Sequence, residues 1–350
     1  MSGNQTASKR IPWIDAARGG CVLAVVMFHF IIVIFEPAAP AGPVTTGWSL
    51  FGAALAAFRM PLLFAVSGFV VARRVRAGRG DRSNAARVAS SYYLYVVWLV
   101  AYGLISLIPL AVNTDRITSP GDFLGQLLIP DTPLWFILAL AVYTAVLCSL
   151  PRARPAYVLA MLAVLSITAQ AVLGFELWAR VPYYFLFFAA GVYLRPLIEQ
   201  QAGRATPLRT VVSGGVFTVF FVLEQVVEVP LANAVLFVAR DAAALSAGLL
   251  AVVLLCRVAP VRRVLSRVGR STLPIYVLHF PLVMVAASFI DWTTVLESPA
   301  TAAAAPIVGP AVIAVLCLVI YRLALRTPLR FAFRMPGRWQ RAISPTPAKA

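Results

Sequence analysis

Charge is scarce in this sequence. Charged side chains make up 12% of its 350 residues, and acids are the scarcer sign, 13 Asp+Glu against 30 Lys+Arg. So few polar groups cannot cover the surface of a soluble domain. A hydrophobic share of 61% and a mean hydropathy of +0.86 belong to a chain whose solvent is lipid. Only two histidines are present, and the four cysteines (Cys21, Cys148, Cys256, Cys317) lie singly in apolar stretches. Neither type recurs at a metal-ligand spacing, so no metal is expected, and the cysteines read as small core hydrophobes rather than disulfides. The ten-residue apolar/polar alternation of a transmembrane β-barrel is also missing. Internal repeats of fixed period and paired Gly/Pro-broken helices, the mark of many transporters, are not found either.

What the chain does have is long apolar runs. They lie near residues 17–36, 48–72, 88–111, 133–150, 156–174, 180–198, 208–228, 231–256, 271–291 and 303–325. Each is near the ~20 residues that a helix needs to cross a bilayer. The expected fold is therefore all-α, a polytopic transmembrane helical bundle of about ten spans. A net charge of +17 would suit nucleic acid in a soluble protein, but the positions of the cations decide otherwise. Of the 30 Lys+Arg, 26 fall on alternate connections: Lys9 to Arg18, 73–87, 151–155, 195–209, 257–270 and the tail from Arg322. The opposite connections hold only Arg116 and Arg180, while Arg59 and Arg240 lie inside spans. This is the positive-inside pattern, with both termini cytoplasmic in a multi-pass plasma-membrane protein. Anionic lipid headgroups, not nucleic acid, are then the partner of the excess charge.

The organisation expected is a cytoplasmic N-terminal arm at 1–16, a bundle at 17–325 and a basic cytoplasmic tail at 326–350. Pro328, Pro336, Pro345 and Pro347 give that tail the character of a disordered or interfacial arm. Lys9 and Arg10 before an apolar run also fit a signal peptide. The run is long for one, however, and it carries the best candidate site, so it reads as a retained first helix. The longest outer connection, 112–132 with Asp115, Asp122 and Asp131, is too short to fold as a domain. Function has to come from the bundle.

The first span, Ile14 to Phe30, begins with Asp15 and Arg18 and carries His29 inside its apolar run. Eleven residues at 100° each put Arg18 and His29 on one helix face to within about 20°, and about 16 Å apart along the axis. A cation near the membrane surface and an imidazole three turns deeper outline a path, one end for an anion and the other for proton chemistry. Asp15 either orients Arg18 or caps the helix. The second span carries Arg59 near mid-bilayer, where insertion costs about 2.5–3.5 kcal/mol. Pro61 frees a backbone carbonyl there, and Ser67-Gly68 permits close approach of a helix or ligand. Arg59 and His29 lie at similar depth, and a shared cavity is the working hypothesis. Arg73, Arg74 and Arg76 follow at the inner end of this span.

Three further groups carry both a plain and a functional reading. Arg240 and Asp241, with Glu224 on the preceding span, are either an ion-pair network or part of a site. Being neighbours, Arg240 and Asp241 diverge by about 100°, so a mutual salt bridge is awkward and other partners are expected. His279, before Pro281 in the ninth span, is a satisfied core group or a second imidazole of the site. Trp135, where the fourth span enters the membrane, is by default an interfacial belt tryptophan.

Together these stretches resemble the acyltransferase-3 family of membrane proteins, in particular its stand-alone sugar O-acetylase-like branch. Trp13-Ile-Asp-Ala-Ala-Arg-Gly to His29 reproduces the family's arginine, ten residues, histidine pattern. Arg59-Met-Pro through Phe64-Ala-Val-Ser-Gly-Phe looks like its second-helix motif. Leu134-Trp-Phe-Ile-Leu, Phe187-Phe-Ala-Ala-Gly-Val and Ser271 through His279-Phe-Pro are similar to later motifs, and the likeness runs over residues 10–325. The resemblance implies an integral-membrane enzyme that takes an acyl group, usually acetyl from acetyl-CoA, to a hydroxyl, usually of a carbohydrate or lipid-linked glycan. In that scheme His29 is the base or acyl carrier and Arg59 stabilises the oxyanion. Asp15, Arg18, Ser67, Arg73 and Arg74 are the candidate donor-binding residues. Trp135, Glu224, Arg240 and Asp241 are the candidate acceptor-binding ones. A secondary transporter and a non-catalytic scaffold or exporter are the competing readings, since buried Arg, His and acids suit transport equally.

Overall fold

The long helices open on proline, whose missing N–H and fixed φ suit a first helical position. Pro12, Pro43, Pro155, Pro207, Pro230 and Pro299 each start one. A computed structural model describes residues 11–78, 82–110, 117, 119–174 and 176–343. The N-terminal arm up to residue 10, with Lys9 and Arg10, lies outside the described residues, as do Asp115, Arg116, Pro345 and Pro347.

The described chain is helical throughout. The main helices are α1 (Pro12–Phe30), α2 (Pro43–Arg76), α3 (Arg82–Ile105), α4 (Trp135–Cys148), α5 (Pro155–Leu173) and α6 (Leu177–Tyr193). They continue with α7 (Pro207–Val226), α8 (Pro230–Leu255), α9 (Ala259–Gly269), α10 (Thr272–Phe289), α11 (Pro299–Ala324) and α12 (Gly337–Ile343). Every expected apolar run is a helix. Among the described residues eight are long and apolar enough to cross a membrane, and Trp178–Tyr193 with Arg195–Gly203, bent by 75°, makes a ninth if the pair is taken as one span. The tenth, α4, is shorter than expected at 14 residues, because Pro133 and Pro151 bracket it with turns. All four cysteines are free and buried.

The centre of the bundle is α1 and α2. Against α2 packs α6, and the crossing is set by two glycines: a Cβ on Gly68 would overlap the Phe188 carbonyl, and one on Gly191 the Ala65 carbonyl. Against α1 packs the amphipathic α9 in the same manner, with Gly19 on the Leu265 carbonyl and Gly269 on that of Asp15. α7 is peripheral, buries none of its side chains and rests on α8. Phe30, Phe64, Phe69, Tyr95, Tyr183 and Phe188 are among the fully buried side chains of the core.

One expectation changes in the tail. Residues 328–343 fold as a helical turn and α12 docked on α3, so the disordered alternative falls for these residues and the interfacial one stands. Trp98 Nε1 donates to Ala332 O at 2.7 Å, Tyr93 Oη to Phe331 O at 3.1 Å, and Phe333 and Met335 are buried. The prolines stop a long helix, but the aromatic side chains between them find a surface.

Candidate active site

One face of α1 meets one face of α10 at both of its polar residues. Arg18 Nη2 donates to Thr272 Oγ1 at 3.0 Å, and three turns deeper His29 Nδ1 lies 3.1 Å from His279 Nε2. Thr272 and His279 are themselves two turns apart, so their faces coincide. His279 is fully buried, its Nδ1 at 2.6 Å from Tyr276 O and 3.1 Å from Ile275 O. His29 Nδ1 is also 3.0 Å from Val25 O, one turn back in its own helix. Directly after Phe30 the helix widens into a single π-turn, Ile31–Phe35, a feature frequent at functional sites. His279 is thus both things at once, a satisfied core histidine and the neighbour of His29.

From α2, Arg59 reaches the same region. Its guanidinium carbon lies 3.5 Å over the ring of Phe28, the residue before His29, and its charge is felt by both imidazoles. Among the described residues its buried Nε and Nη1 have no hydrogen-bond partner. Buried N–H groups of a charged side chain are rarely left so in native structures.

Toward the Arg18 end runs a narrow cavity of about 120 Å³, lined among others by Arg18, Ser67, Ser91, Thr272 and Tyr276. Leu63 and Ser67 follow Arg59 at four-residue intervals, so the cavity continues along the Arg59 face of α2. Ser67 Oγ donates to Leu63 O at 2.7 Å, leaving its oxygen as an acceptor. Among the described residues Asp15 makes no side-chain cap and no ion pair with Arg18. Thr272 holds the guanidinium instead. Arg73 and Arg74 are exposed at the end of α2, which Asn84 ties to α3 by donating to Arg74 O at 2.8 Å and Gly78 O at 3.0 Å.

Arg87, which sequence reasoning counted only as loop charge, stands within electrostatic range of both Arg18 and Arg74. It precedes Ser91 and Leu94 of the cavity wall by one and two turns, a helical spacing that could have singled it out. Thr272 carried a similar signal, seven residues before His279.

Two expectations need correcting. Arg240 and Asp241 do pair, through Nε and Oδ1 at 2.8 Å, while Arg240 Nη1 bonds Glu224 and the Tyr183 hydroxyl bonds Asp241. The 100° between neighbours fixes where Cβ points, and the arginine side chain is long enough to fold back across it. The network is centred on the Arg240 guanidinium, which bonds both acids, with the Tyr183 hydroxyl completing the carboxylate of Asp241. Trp135 does not take a belt position. Its ring packs inward on Tyr184 at 5.1 Å and Phe64 at 5.5 Å, in the aromatic cluster beside Arg59.

Residues 11–322 match a family model described as an acyltransferase domain. The inner membrane protein YcfT of Escherichia coli (strain K12) is 25% identical over 150 residues, 38% of this chain. That alignment spans 42% of the relative, less than half its length. No solved structure matches the chain. With the match running from the start of α1 into the end of α11, across His29, Arg59 and His279 alike, this multi-pass membrane protein belongs to the acyltransferase-3 family.

Proposed function

We propose that this acyltransferase carries an acetyl group from cytoplasmic acetyl-CoA to a hydroxyl of a carbohydrate, lipid-linked glycan or glycosylated metabolite. The observation that carries the reading is a buried guanidinium, Arg59, seated over Phe28 beside His29, whose Nε and Nη1 have no hydrogen-bond partner among the described residues. An acyl transfer needs both parts: a base for the hydroxyl, and a fixed donor for the oxyanion of the tetrahedral intermediate. His29 takes the hydroxyl proton, the freed oxygen attacks the thioester carbonyl, Arg59 bonds the developing oxyanion, and collapse expels the CoA thiolate. Arg18, Arg74 and Arg87 cluster where a cytoplasmic polyanion would enter, and the cavity between Arg18 and Tyr276 would take the donor's narrow arm. The inward-packed Trp135, beside Tyr184, offers an aromatic face of the kind that stacks on sugar rings.

The test uses purified full-length protein in lipid nanodiscs with acetyl-CoA and a panel of cell-envelope glycans, reading free thiol and acetylated product by mass spectrometry. Acetyl transfer that His29→Ala abolishes while the protein stays folded supports the reading. Intact acetyl-CoA across the whole panel would return the protein to transport or scaffolding. His29→Ala at wild-type rate would remove the base from the scheme.

A further inference from the structure

The proton positions of the two histidines can be worked out from their partners. Carbonyl oxygens only accept hydrogen bonds, so His279 Nδ1, facing Tyr276 O at 2.6 Å and Ile275 O at 3.1 Å, must carry hydrogen. A neutral imidazole has one N–H, which leaves His279 Nε2 as an acceptor. The atom opposite it at 3.1 Å, His29 Nδ1, must then donate, and its second neighbour, Val25 O at 3.0 Å, agrees. His29 Nε2 is left with its lone pair, and no hydrogen bond among the described residues engages it. The whole chain of assignments starts from two backbone carbonyls of α10.

We propose that His279 is a positioning residue that holds His29 with Nε2 as the free base, and that the pair is closed to proton exit. When His29 Nε2 takes a proton, the imidazolium charge is shared through Nδ1–H with the His279 lone pair. The proton cannot go further, because His279 is fully buried and the carbonyls beyond it cannot receive one. It must leave by the nitrogen that took it up. Resting on the acyl-transfer reading, the balance is then complete within the site. The acceptor O–H and thioester C–S bonds break, the ester C–O bond forms, and His29 Nε2 passes the hydroxyl proton to the departing thiolate. The histidine that expels the donor is the one that activates the acceptor.

The chain has two histidines, so ¹⁵N-histidine labelling of full-length, untagged protein in bilayers yields four ring nitrogens. The expected solid-state NMR spectrum at neutral pH has both Nδ1 protonated and both Nε2 bare. His29→Ala leaves the His279 pair alone and assigns it. A protonated Nε2 on either residue overturns the proposal, whether or not the preparation turns over acetyl-CoA, so its failure is separate from failure of the enzymatic reading. In the thiol-release assay, His279→Leu is expected to lower kcat by about 10- to 100-fold with the KM for acetyl-CoA unchanged, and His279→Gln, which keeps an acceptor, to recover part of that. Wild-type kcat in a folded His279→Leu protein would end the positioning role. Should that variant not fold, the wild-type spectrum decides.

Discussion

Arg59 keeps its charge inside the bundle by covering one face of the guanidinium with Phe28, which leaves the N–H edges to meet polar groups. Lysine would carry the charge but neither the plane nor the fork of donors. Arg59→Lys is therefore expected to insert normally and to lower kcat by about 100- to 1000-fold, with a smaller change in KM. Thiol-release kinetics on the nanodisc protein check this, and a raised KM with kcat unchanged would mean ground-state binding instead. Asp241 is a different case. Its carboxylate answers Arg240 and Tyr183 together, so Asp241→Asn should cost about 3 kcal/mol of stability, seen in unfolding by denaturant, without a specific effect on turnover. The contrast shows what was legible at this scale. Arg18 and His29 could be placed on one face because helix arithmetic locates Cβ, and both heads find partners on the one helix which that face meets, α10. Arg240 escaped the same arithmetic because its guanidinium, several bonds beyond Cβ, folds back to its sequence neighbour. The Tyr183 partner, 58 residues away on another helix, leaves no mark in local sequence.

The helices themselves were readable from apolar run length, and their ends from prolines, but the contacts between them rest on single small residues. Gly68 and Gly191 bring α2 and α6 close enough for backbone to touch backbone, and this places the Arg59 side of α2 against Tyr184. A methyl at Gly191 would meet the Ala65 carbonyl, so Gly191→Ala is expected to destabilise by about 1–3 kcal/mol and to lower activity through displaced Arg59. Gly203, beside which a Cβ would find open space, is the control: Gly203→Ala should leave unfolding and turnover unchanged. Ser67-Gly68 signalled a close approach in the sequence, yet not which helix would make it. The pairing of α1 with α9 was less visible still, since a short basic amphipathic stretch reads as an inner loop until Gly19 and Gly269 are seen to interlock.

Across the whole molecule the arginines are the long-range signal. α2, at 34 residues, is about 50 Å long by helical rise, more than a bilayer's thickness, so its last turn with Arg73, Arg74 and Arg76 stands clear of the apolar core. There Arg74 and Arg87 share a potential with Arg18 at its end of the cavity. Charges of one sign around a narrow entrance attract a polyanion over a distance set by ionic strength, with a Debye length of about 10 Å at 0.1 M and about 3 Å at 1 M. If this end receives the donor, the KM for acetyl-CoA should rise with salt while kcat holds. Arg74→Gln, at an exposed position, should raise that KM about threefold to tenfold at low salt and flatten its salt dependence. S-acetylpantetheine, which has the thioester arm without the phosphates, should show neither effect. A KM for acetyl-CoA that ignores both salt and Arg74 would mean that the clustered cations serve membrane topology alone. The donor would then have to find the Arg18–His29 face without electrostatic guidance.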